Sequence, residues 1–195
     1  MIFLLNRSLT LFLCLFTILV CSCNTTPRRT ITEMKFNVDS SIVNKPVSDS
    51  SLGIRYSVPA GWQAIEASDD ALQRAKSGNV RISNMLQDPS GHVVFSLTDV
   101  RQVPDSVFRN MDENFKTVLN PSGSWSDIQR DEFIAAGYQV KQYVMAKQGQ
   151  TFFKMLFGDR TRPSFQVDYS VIIDSAYALN TKTLESIVGS LHRDH

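Results

Sequence analysis

The chain has 195 residues, balances 20 Lys and Arg against 19 Asp and Glu, and is 43% apolar. That composition suits one ordinary globular domain with its own core, and without a concentrated basic footprint it argues against nucleic acid as a partner. All three cysteines, Cys14, Cys21 and Cys23, fall within the first 23 residues, so the remainder has no disulfide, thiol nucleophile or thiolate metal site to offer.

Arg7 precedes a largely apolar run over residues 9–20, which stops at Val20-Cys21-Ser22-Cys23. A bilayer core requires about 20 apolar residues, so this run is too short to span one. A positive start, a short apolar stretch and small residues before the cut describe a secretory signal over residues 1–22. Its ending resembles the lipobox of signal peptidase II, with Val20 and Ser22 flanking Cys21 and Cys23 as the residue to be lipidated. A plain secretory cut would instead leave Cys23 as an unpaired thiol in an oxidising compartment. Cys21 is the poorer acceptor, because bulky Val20 directly precedes it. Asn24 is not the aspartate associated with inner-membrane retention in enteric bacteria, which favours the outer membrane, facing periplasm or surface, where the cell has one. With Arg7 removed, the mature chain is formally neutral.

Residues 23–50 read as a lipidated tether, rich in Thr, Ser, Asn and Asp and carrying Pro27 and Pro46. Fully flexible, such a segment would hold a domain about 30 Å from the membrane. Within it Met34, Phe36 and Val38 alternate with Glu33, Lys35 and Asn37, a candidate edge strand over residues 30–38. The folded domain is expected over residues 51–195.

Ile54, Tyr56 and Val58 alternate with Arg55 and Ser57 before the turn Pro59-Ala60-Gly61 and Trp62. Residues 68–76 form an expected helix capped by Ser68, with Asp69 and Asp70 suiting the dipole and Gly78 ending it. Strands over 80–86 and 92–100 flank Asp88-Pro89-Ser90-Gly91 and read as a hairpin. Phe108, Met111, Phe115 and Val118 recur at helical spacing over residues 105–120, where Pro121 and Gly123 end the pattern. After a loop carrying Trp125, three strand patterns over 138–147, 151–157 and 164–174 form an expected meander. A closing amphipathic helix places Leu184, Ile187, Val188 and Leu191 on one stripe. The elements amount to an α+β fold, a mostly antiparallel sheet of about six strands with helices for both faces.

The run Ile54-Arg55-Tyr56-Ser57-Val58-Pro59-Ala60-Gly61-Trp62 resembles the opening strand and turn of the PsbP-like superfamily. Gly137-Tyr138-Gln139-Val140, Phe152-Phe153-Lys154 and Leu184-Glu185-Ser186-Ile187-Val188-Gly189-Ser190-Leu191 follow in the matching order. That superfamily includes extrinsic photosystem proteins, a yeast Ran-binding import factor and bacterial DcrB-like lipoproteins. The resemblance covers residues 51–192 and implies an α/β/α sandwich around a central antiparallel sheet. It implies an adaptor or assembly domain rather than an activity, since fold alone does not carry function. The lipobox places the chain nearest the DcrB-like branch, and no functional residue is carried over.

The sequence lacks the Gly-x-Ser-x-Gly elbow, the phosphate-binding glycine loops and the His-Glu-x-x-His zinc motif. Asp69/Asp70 and Asp131/Glu132 are adjacent carboxylates, and sequence neighbours seldom face one site; the first pair already has a capping role. His92 begins a strand at a position that is usually solvated. His192, Asp194 and His195 could supply two imidazoles and a carboxylate to a metal, although chain termini fray. No cofactor or metal is expected. Trp125, in a polar loop, is the candidate partner contact; the alternative is that its ring covers one end of the sheet. The leading expectation is a lipid-anchored cell-envelope binding or adaptor module without catalysis. Its alternative is a small-ligand or lipid carrier, with a pocket rich in Phe152, Phe153, Phe157 and Phe165.

Overall fold

The structure is a computed structural model that describes residues 31–194. The signal segment, Cys23 and His195 lie outside the described residues. No helix among the described residues is long and apolar enough to cross a membrane.

Within the span read as a tether, residues 23–50, the described part pairs with the fold: β1 (Thr32–Glu33) runs parallel to β7 (Asp127–Ala135). Phe36 packs edge-on against Phe133 at 5.7 Å between ring centres, and Val43 is buried. β2 (Lys45–Asp49) then pairs with β3 (Ile54–Val58). Pro46 is tolerated because β2 is an edge strand and leaves one side of its backbone unpaired. β4 (Gln63–Ala64) follows the turn, and β11 (His192–Arg193) lies on the other side of β3.

Ser68 caps α1 (Asp69–Ser77), its hydroxyl accepting from the Ala71 N–H, and Gly78 closes the helix. β5 (Arg81–Gln87) and β6 (Val93–Asp99) form the expected hairpin. The helix expected over 105–120 is two, α2 (Asp105–Glu113) and α3 (Phe115–Leu119), because Asn114 leaves helical geometry at φ −131°, ψ 36°. β7 follows, then the meander β8 (Tyr138–Lys147), β9 (Gln150–Gly158) and β10 (Pro163–Ile172), and finally α4 (Tyr177–Gly189).

The fold is α+β with a central, mostly antiparallel sheet. It has eight strands in the order β1-β7-β8-β9-β10-β6-β5-β4 rather than about six, and β11-β3-β2 form a separate small sheet. The two faces of the large sheet are built differently. On the inner face Phe95, Leu97, Val140, Phe157, Phe165, Val167 and Tyr169 pack against Ile54, Tyr56 and Val58 of the small sheet and Leu184, Ile187 and Val188 of α4. The stripe read from the closing sequence therefore meets the core. On the outer face Val100, Val103, Phe108, Tyr143 and Leu156 form a smaller cluster with Phe115 and Leu119 of α2 and α3. α1 lies against β5 elsewhere on the sheet.

Candidate binding groove

The strand period of two sends alternate residues of β6, β9 and β10 to opposite faces. Phe153, Phe157 and Phe165 therefore turn into the core, where Phe157 stacks on Phe165 at 4.8 Å, while Phe152 faces outward. The four rings do not line a common pocket, which corrects that expectation. The outward set of Val94, Ser96 and Thr98, of Phe152 and Lys154, and of Gln166, Asp168 and Ser170 instead forms the floor of a groove of about 540 Å³. Its wall comes from Ala71, Arg74 and Ala75 of α1 and from Val80, Ile82 and Met85.

The floor is mostly polar and closely bonded, whereas the wall is apolar apart from Arg74. Lys154 stands directly opposite Asp168 in register, and its Nζ donates to Oδ1 at 2.8 Å with the two side chains only 16% and 18% exposed. Gln166 donates its amide to the other Asp168 oxygen, and the Gln150 amide donates to Ser170 Oγ at 2.6 Å. Lys154 Nζ also lies 5.7 Å from the centre of the Phe152 ring.

Trp125 is half-buried and tilts against Phe152 at 6.0 Å, so it stands beside one end of the groove. Asn120 fixes the loop, accepting from the Trp125 N–H at 3.0 Å and donating to its carbonyl oxygen at 2.7 Å. The ring is thus neither free in solvent nor part of the inner core.

The other sequence candidates are dispersed. Asp69 and Asp70 begin α1, and Asp70 lies 3.9 Å from Arg74. Asp131 borders a small cleft with Phe36 and Gln142, whereas Glu132, one residue on, pairs with Arg130. His92 Nδ1 meets Asp174 at 2.7 Å on the surface. His192 Nδ1 lies 2.9 Å from the Ser190 carbonyl oxygen, and Asp194 binds Arg55 at 2.8 Å and Ser48 at 3.0 Å. Hydrogen bonds from Ser48 and Arg55 hold the Asp194 carboxyl below the ordinary carboxylate range. The described residues contain no grouping of three His, Cys, Asp or Glu side chains placed to hold a metal.

Sequence reasoning missed a charge cluster above the outer face. Asp112 of α2 is bonded by Lys141, lies 3.4 Å from Arg130 and accepts from the Tyr143 hydroxyl at 3.2 Å. Burial, followed by the nearby Asp112 charge, raises the Tyr143 hydroxyl pKa. These contacts fasten α2 to β7 and β8. The groove itself leaves no linear motif, since five separated elements supply its residues.

No family model and no curated protein matches the sequence. Similar solved structures include the cyanobacterial PsbP protein of Synechocystis, at TM-score 0.47 and 13% identity over 76% of this chain and 91% of that one. LpqN of Mycobacterium tuberculosis, described as involved in cell envelope biogenesis, is similar at TM-score 0.44 and 12% identity over 76% of this chain and 88% of that one. The Ran-binding protein Mog1p of Saccharomyces cerevisiae is similar at TM-score 0.39 and 12% identity over 77% of this chain and 95% of that one.

Proposed function

We propose that the chain is a lipid-anchored binding or adaptor module of the cell envelope, of PsbP-like type and without catalytic activity. The sequence ending in Cys23 supports the anchor and, with Asn24, the outer membrane.

The observation that carries the reading is Trp125, a half-exposed ring pinned beside a groove rather than absorbed into the core. A large aromatic held rigid before contact loses little entropy on binding and suits an anchor for a protein partner. A photoreactive amino acid at position 125, used in intact cells of the native host, tests it. One dominant envelope protein cross-linked at wild-type expression is the expected result. Recovery of only abundant background proteins would contradict the adaptor reading. Small-ligand carriage is the second reading, favoured by the volume and polar floor of the groove.

A further inference from the structure

We propose that the outer-face groove is a binding site for a neutral, polyhydroxylated ligand of the chemical class of a mono- or disaccharide. The proposal rests on the binding-module reading, but not on the lipid anchor or on a protein partner at Trp125.

Size is the first consideration. About 540 Å³ lies within the range of roughly 300–1,000 Å³ usual for small-molecule sites.

Charge is the second. Lys154 and Asp168 neutralise each other on the floor, and Arg74 stands at the wall with 76% of its side chain exposed. An anion entering the groove would compete with Asp168 for Lys154, and a cation would compete with Lys154 for Asp168. Either exchange would weaken a poorly solvated pair, which is costly. A neutral ligand leaves the pair intact.

Hydrogen-bonding capacity is the third. Lys154 has three N–H donors and gives one to Asp168, whose two oxygens have further lone pairs after accepting from Lys154 and Gln166. Ser170 Oγ accepts from Gln150, so its own O–H remains a donor. The floor therefore offers donors and acceptors side by side within a few ångströms. A hydroxyl group is both, so a ligand carrying several can satisfy such a floor without stranding a polar group.

Shape is the fourth. Phe152 places an apolar ring at one end, with Trp125 tilted against it and the Lys154 ammonium over it, and Ala71, Ala75 and Met85 supply an apolar wall. A sugar ring has an apolar C–H face and a hydroxylated rim. Its C–H face suits that wall while its rim meets Lys154, Asp168 and Gln166.

The test uses the full mature protein in a detergent without a sugar headgroup, titrated calorimetrically with maltose and with N,N′-diacetylchitobiose. Saturable binding of at least one is expected, weakened about tenfold by Gln166→Leu and unchanged by Leu72→Ala, which lies off the groove on the same side of the molecule. Thermal melting of each variant separates loss of binding from loss of fold. Absence of saturable binding by either sugar, tighter binding of inorganic phosphate, or equal effects of the two substitutions would overturn the proposal. A cross-link at position 125 that persists beside a failed titration would remove the sugar site alone and leave the binding-module reading standing.

Discussion

At the scale of single residues, the fold depends on a few positions where no substitute has room. A Cβ on Gly158 would lie 2.1 Å from the Arg162 carbonyl oxygen, at the tight crossing between β9 and β10. Backbone cannot yield as a side-chain tip can, so Gly158→Ala should lower unfolding stability by about 1–3 kcal/mol, measured by urea titration. Tyr56 acts instead through its buried hydroxyl. Its hydroxyl accepts from the Asn84 amide at 2.7 Å, and burial pushes its pKa up to about 12 despite that bond. The unfolded chain ionises Tyr56 near pH 10, so the folded state keeps the full contribution below about pH 10 and loses it as pH rises toward 12. Burial moves Tyr143 and Tyr169 in the same direction. Melting temperature should therefore fall steeply above pH 10, and Tyr56→Phe should flatten part of that slope; a flat alkaline profile in the wild type would refute the assignment.

At the scale of elements, the segment over residues 36–39 is clamped by the last helix. A Cβ on Gly189 would lie 2.9 Å from Phe36 Cβ and 3.0 Å from the Phe36 carbonyl oxygen, so Gly189→Val should expel this segment from α4. Limited proteolysis should then cut within residues 31–43 while the large sheet stays protected. Asp39 adds an electrostatic clasp, accepting from Lys182 at 2.9 Å, and Ser41 followed by Lys182 hold its pKa at about 2. Such a lowered carboxyl stabilises docking above its ordinary value and releases it as pH falls from about 3.8 toward 2, which amide exchange over residues 36–43 can follow. Most elements were legible because apolar residues gather between clear turn signals or on one helical stripe: β3, the β5–β6 hairpin, the meander and α4. β7 was not, because Asp127, Gln129, Arg130, Asp131 and Glu132 mask its alternation near a sheet edge, where charge is tolerated. β2 was hidden by Pro46, and the division between α2 and α3 by an Asn114 that still fits a helical pattern.

At the scale of the whole molecule, one face of the sheet is closed over the main core, and the other holds a smaller core with an open groove beside it. The inner face is closed by α4 and the small sheet, whereas the outer face carries helices on its flanks and a polar floor between them. Composition and periodicity anticipated the first face, since burial writes itself as apolar spacing. They could not anticipate the second, because Ser96, Lys154, Gln166 and Asp168 read in sequence as the ordinary wet side of strands and meet only through register. Placing Trp125 beside that face required both the α3–β7 connection and its Asn120 bonds. Occupancy of the groove in the cell is the most direct test, and the cysteine inventory permits it, since Cys23 is the last native cysteine. Single Ser96→Cys and Ser77→Cys variants would be treated with a membrane-permeant maleimide in intact cells and again after purification. Ser96→Cys on the groove floor should be protected in cells and reactive once purified, with Ser77→Cys reactive in both; equal labelling of Ser96→Cys in the two settings would contradict a groove that binds.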